Sequence, residues 1–109
     1  MAKKSPYESG ELTDSIFLIL LATLKPVHGY RIMKLIQDMT QGDVDIGPAT
    51  MYTTLRKLSD VKWIEGTGES DSKLLYQITD EGKKILSDNF RRRKKIMQIA
   101  ENYFIEEDK

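Results

Sequence analysis

The chain has 109 residues, with 17 Lys+Arg against 17 Asp+Glu, a formal net charge of zero and no Cys. That length suits one domain with a modest core, which oligomerisation would help. Zero net charge means that any nucleic-acid role must rest on local charge. The lack of Cys excludes a disulfide framework and thiolate chemistry, and it fits a reducing cytoplasm.

Residues 1–11 are polar, with Pro6 and Gly10, and read as a loose arm with a partial turn around residues 7–11. No apolar run follows Lys3 and Lys4 before Leu12, so the start does not read as a signal peptide. Residues 12–24 form the first firm helix, capped locally by Thr13, Asp14 or Ser15. Its run of Ile16, Phe17, Leu18, Ile19, Leu20, Leu21 and Leu24 leaves no polar face. A helix apolar all round is buried on all sides, and part of this one is expected to pack against a second subunit. The run is far too short to span a bilayer.

Lys25-Pro26-Val27-His28-Gly29 is a break. Residues 30–39 give a second helix with Ile32, Leu35, Ile36 and Met39 inward and Lys34 and Gln37 outward. A turn over residues 41–45 leads into Ile46-Gly47-Pro48-Ala49-Thr50-Met51-Tyr52-Thr53-Thr54-Leu55-Arg56-Lys57-Leu58. Gly47 suits the N-cap and Pro48 the first helical position, where no N–H is needed. Met51, Leu55 and Leu58 recur at i, i+4, i+7 and mark a core stripe. The other face carries Thr50, Tyr52, Thr53, Arg56 and Lys57, with hydroxyls, two cations and no acid. Such a face can bind phosphates and base edges. Two helices joined by a Gly-containing turn, the second with a cationic face, give the helix-turn-helix pattern.

Residues 63–65 and 74–78 read as two strands around a polar loop over 66–72, which together make a wing. Thr79 caps a final helix over residues 80–106, with Asp80 and Glu81 at its positive end. Leu86, Phe90, Met97, Ala100 and Phe104 form one stripe on it, with Arg93 in the missing place, and Ile85, Ile96, Ile99 and Tyr103 form another. A long helix with two apolar stripes is expected to need a partner.

No enzyme constellation is present. His28 is the single histidine and has no grouped acid or nucleophile, so it reads as structural. No Cys/His cluster suits a metal. Gly66-Thr67-Gly68 is too short for a phosphate fingerprint. Arg91-Arg92-Arg93-Lys94-Lys95 points all round a helix and reads as mainly solvated. Met33, Met39, Met51 and Met97 read as core filling.

Three pieces in this order carry a resemblance: His28-Gly29-Tyr30, Tyr52-x-x-Leu55-x-x-Leu58 and Tyr76-x-x-Thr79-x-x-Gly82. With them the chain resembles the PadR family of bacterial transcriptional regulators over nearly its whole length, in the short form with one final helix. The resemblance implies a winged helix-turn-helix homodimer that represses transcription, with the final helix packed on the first and final helices of its partner. It also implies, from some short relatives, a flat aromatic effector at the dimer centre. Two positions depart from the family pattern. Ser70-Asp71-Ser72-Lys73 leaves the wing with one cation, and Lys62 stands where a Gly usually closes the recognition helix. A left-handed Lys62 would cost roughly 1 kcal/mol.

The expectation is therefore an α+β fold, mostly helical with a two-stranded wing. Residues 1–79 would form the DNA-binding part and residues 80–109 the dimerisation helix. Thr50, Tyr52, Thr53, Arg56 and Lys57 would enter or flank the major groove, and Tyr30, Lys34 and Lys73 would hold phosphates. Ile16, Leu20, Leu86, Phe90, Ile96, Met97, Ile99, Ala100, Tyr103 and Phe104 would form the dimer interface. No cofactor is expected. Double-stranded DNA, a second copy and a small apolar or aromatic effector are the expected partners. The competing reading is a protein-interaction module on a winged-helix scaffold, which the neutral charge and acidic wing favour.

Overall fold

The computed structural model describes residues 4–70 and 73–108; the side chains of residues 69, 70 and 73 lie outside that description. In chain order the elements are α1 (Pro6–Ser9), α2 (Asp14–Ala22), β1 (Val27–His28), α3 (Gly29–Met39), α4 (Pro48–Asp60), β2 (Ile64–Ser70), β3 (Lys73–Ile78) and α5 (Asp80–Glu107). The class is mostly helical with a small antiparallel sheet.

That sheet has three strands rather than the expected two, in the order β1-β3-β2. The break before α3 contributes the extra strand, pairing Val27 with Tyr76 and His28 with Leu75. Two residues are too few to show an alternating pattern in sequence. The wing is also longer than expected. β2 continues through Gly66 and Glu69 with a register shift between them, and Gly68 takes φ +121° there. Backbone pairing with β3 carries this stretch without any apolar alternation, so composition alone suggests a loop.

The core forms where α2, α3, α4 and the sheet base meet. Ile19, Leu20, Ile32, Ile36, Met51, Leu55, Leu58 and Ile64 are all essentially inaccessible to solvent. Thr13 caps α2 by accepting a hydrogen bond from the Ile16 N–H at 3.2 Å. Ile16, Leu20 and Leu86 were expected at a dimer interface, and the structure corrects this. They are buried in the chain's own core. The periodicity shows that a stripe must be covered, but it does not say by what.

α4 closes with a Schellman geometry. The Lys62 N–H donates to the Ser59 carbonyl at 3.0 Å and the Trp63 N–H to the Leu58 carbonyl at 3.0 Å. Lys62 takes φ +63°, the strained left-handed position expected of it. Its carbonyl accepts from the Thr79 hydroxyl at 2.6 Å, and Thr79 Oγ1 in turn accepts from the Gly82 N–H at 3.0 Å. The Thr79 N–H donates to the Trp63 carbonyl at 2.9 Å. The spacing Tyr76-x-x-Thr79-x-x-Gly82 therefore joins the end of β3, the end of α4 and the start of α5 at one point.

The N-terminal arm is ordered by α5. Asn89 is buried on the first half of that helix; its Oδ1 accepts from the Leu12 N–H at 3.0 Å. Its Nδ2 donates to the carbonyls of Gly10 at 2.8 Å and Ile85 at 2.9 Å. Arg92 pairs with Glu11 at 2.9 Å. Arg93 pairs with Asp14 at 2.6 Å, donates to the Leu12 carbonyl at 2.8 Å and lies 4.6 Å from the Phe17 ring centre. Arg91 pairs with Asp88. Arg92 and Arg93 of the basic run thus clasp the arm and the start of α2. Asn89→Ala should cost about 1–3 kcal/mol, because it leaves the buried Leu12 N–H and the half-buried Gly10 carbonyl without their partner. Hydrogen exchange at the Leu12 N–H checks this: exchange should accelerate there before the α4 amides change.

Candidate nucleic-acid interface

α4 starts as its sequence requires, with Gly47 as N-cap in extended backbone and Pro48 in the first turn. Met51, Leu55 and Leu58 anchor it in the core, so its opposite face is turned to solvent. Thr50, Tyr52, Thr53, Arg56 and Lys57 are all exposed there. The helix runs two residues past Leu58, to Asp60, which is exposed one turn after Arg56. The face therefore carries an acid at its C-terminal end, while its N-terminal two turns have none.

α3 supplies Tyr30 and Lys34. Both are exposed. The Tyr30 ring stacks on His28, with centroids 5.5 Å apart and planes at 15°. Lys34 pairs with Asp38 one turn on, at 3.4 Å and with both side chains well exposed. Such a pair is weak in water, so Lys34 is readily given up to a phosphate. Lys73 opens β3, paired by backbone register with Ser70. Its side chain, and the wing residues Asp71 and Ser72, lie outside the described residues.

An open cleft of about 340 Å³ separates the start of α3 from the wing; its lining is His28, Gly29, Tyr30, Tyr52, Leu74 and Tyr76. Gly29 is the reason α3 and α4 can approach here. A Cβ on it would lie 3.0 Å from Tyr52 Cε1 and 3.3 Å from Leu55 Cδ1. The His-Gly-Tyr motif thus seats Tyr52, a candidate base or phosphate contact. His28 and Tyr76 join the cleft without having been singled out for it. His28 Nδ1 is buried with no hydrogen-bond partner among the described residues. Strand pairing, which no helical or alternating pattern announced, is what brings these rings together.

The expected interface on α5 divides in two. Beyond Asn89 the helix leaves the core, and Phe90, Ile96, Met97, Ile99, Tyr103 and Phe104 are between 49% and 72% exposed. Ala100 is half-buried. Ile105, 57% exposed, joins this apolar half although it was not among the expected residues. Among the described residues no group of three His, Cys, Asp or Glu is placed to hold a metal. No described helix is long and apolar enough to cross a membrane.

The chain matches known proteins in the same terms. The model of the transcriptional regulator PadR-like family matches residues 17–88. Among solved structures, the chain is similar to a transcriptional regulator from Clostridium thermocellum, with a TM-score of 0.71 at 20% identity, covering 94% of this chain and 98% of that one. It is similar to a PadR-like transcriptional regulator from Bacillus cereus, with a TM-score of 0.70 at 22% identity over 81% and 88% of the two chains. It also resembles PadR of Bacillus subtilis, solved in complex with operator DNA, with a TM-score of 0.57 at 24% identity over 71% of this chain and 46% of that one. No significant match occurs among curated protein sequences. The family match spans well over half of the chain, from α2 through the helix-turn-helix and wing into α5: this protein belongs to the PadR-like family of transcriptional regulators, not to an enzyme family.

Proposed function

We propose that the chain is a repressor that binds a two-fold operator as a homodimer. The observation that carries this is the outer face of α4. Thr50, Tyr52, Thr53 and Arg56 project to solvent from a helix fixed on three buried residues and flanked by a wing. Hydroxyls and a guanidinium in that arrangement suit base edges, while Lys34, Lys57 and Lys73 suit phosphates. The operator complex of the Bacillus subtilis relative supports the same use of the fold. Residues 80–109 would supply the dimer contact through the exposed half of α5. A second copy would set two recognition helices about 34 Å apart, one turn of DNA. A planar apolar effector seated against Met97 and Phe104 would loosen that pairing and release the operator. Such a role places the protein in the cytoplasm.

The test is binding to DNA from upstream of its own gene across a salt series. Lys34, Lys57 and Lys73 on each of two subunits, at about −0.9 per neutralised phosphate, give a slope of log K against log salt on the order of −5. Arg56→Ala should cost about 1–3 kcal/mol and relax preference at one base position. Lys73→Ala should weaken all sequences alike. A slope near zero would remove the DNA reading and leave a protein-binding scaffold.

A further inference from the structure

The outer face of α4 is reached by a part of the chain that precedes the family match. Tyr7 lies in α1, before residue 17. Its ring packs against Trp63, with centroids 5.9 Å apart at 33°. Lys57 Nζ stands over the same ring, 5.9 Å from its centre. Burial pushes the Tyr7 phenol above its ordinary pKa, opposed by hydrogen bonding to Thr54. One ring therefore meets α4 at Thr54 and Lys57, and the chain three residues past its end at Trp63.

The ring is held from behind. α1 has four residues and buries none of them, so it cannot fix Tyr7 by itself. The Asn89 bonds to Gly10 and Leu12 and the Arg92 and Arg93 pairs hold the arm to α5. Lys57 meanwhile remains exposed. A lysine has a flexible four-carbon stem and loses rotamer freedom when it binds a phosphate. An aromatic face beneath the ammonium restrains the stem while leaving the cation open to an anion.

We propose that Tyr7 is a positioning residue for DNA binding. It holds the Lys57 ammonium at the outer face of α4, where Lys57 takes a DNA phosphate. The inference rests on the DNA reading of that face and extends it to the N-terminal arm.

The experiment measures binding to a labelled mixed-sequence duplex across a salt series for wild type, Tyr7→Leu, Tyr7→Phe, Lys57→Met and Tyr7→Leu with Lys57→Met. Lys57→Met should lower the salt slope by about 0.9 for each bound subunit. Tyr7→Leu, which keeps apolar contact with Trp63, should weaken binding about two- to five-fold and lower the slope in the same direction. It should add nothing once Lys57 is methionine. Tyr7→Phe keeps the ring and should bind as wild type does. A Tyr7→Leu effect of equal size with and without Lys57, or no effect at all, overturns the proposal, as does Tyr7→Phe behaving like Tyr7→Leu. A proton spectrum of the wild type gives a reading independent of any variant's folding. The Lys57 ε-methylene should lie upfield of the other exposed lysines, and coincidence with them overturns the proposal. A wild type without salt-dependent binding overturns the DNA reading itself, before any variant is compared, and this inference with it.

Discussion

Gly82→Ala is expected to cost roughly 3 kcal/mol, at the upper end of overpacking penalties. A Cβ at residue 82 would lie 2.1 Å from the Trp63 carbonyl oxygen and 2.8 Å from Ile78 Cγ1. The oxygen is backbone and already accepts from the Thr79 N–H, so it cannot swing aside. Relief requires α5 to move off the base of the wing, which stretches the Thr79 cap and its bond to Lys62. Alanine's better helix propensity, about 1 kcal/mol, offsets only part of this. A chain of this size holds on the order of 5–15 kcal/mol of stability, so the loss is a large share. The thermal midpoint should fall by more than about 10 °C at fixed protein concentration. Gly47→Ala is the control. Nothing lies within 4 Å of a Cβ there, and the change should cost at most about 1 kcal/mol. Equal midpoints for the two variants would show that the contact at Gly82 is not close in solution.

Ile99→Asp should have the largest effect on function. Residue 99 is 49% exposed and lies outside the core, so a single chain tolerates a carboxylate there. In a dimer joined by the outer half of α5, the same carboxylate would be buried in an apolar contact without a partner. The variant should keep its core and lose its second copy. Operator affinity should then fall by about 10²–10⁴, the avidity that linking two half-site binders supplies. The loss would come from a residue remote in sequence from α4. Multi-angle light scattering suffices for the mass, and far-ultraviolet circular dichroism for the helix content. A variant that remains dimeric with wild-type affinity would move the interface elsewhere.

The helix-turn-helix was legible because each of its signals is local. Met51, Leu55 and Leu58 recur at helical spacing, and Pro48 marks a start. The start of α5 was legible for the same reason, in Thr79, Asp80 and Glu81. What was not legible depends on distance along the chain. Asn89 and Arg93 reach residues 77 to 81 positions away, and neither residue type predicts such a bond. β1 exists only because β3 returns beside it. Ile16, Leu20 and Leu86 showed the same limit from the other side. Their stripes demanded cover, and the chain itself supplied it, whereas Phe90, Met97 and Phe104 on the outer half of α5 stay exposed.

Sedimentation velocity of the wild type, alone and with a labelled duplex from upstream of its own gene, tests the central claim in one measurement. The account predicts a free species of twice 12.6 kDa and a complex holding two chains per duplex. A clean 12.6 kDa monomer, or a duplex that sediments without protein, would contradict it.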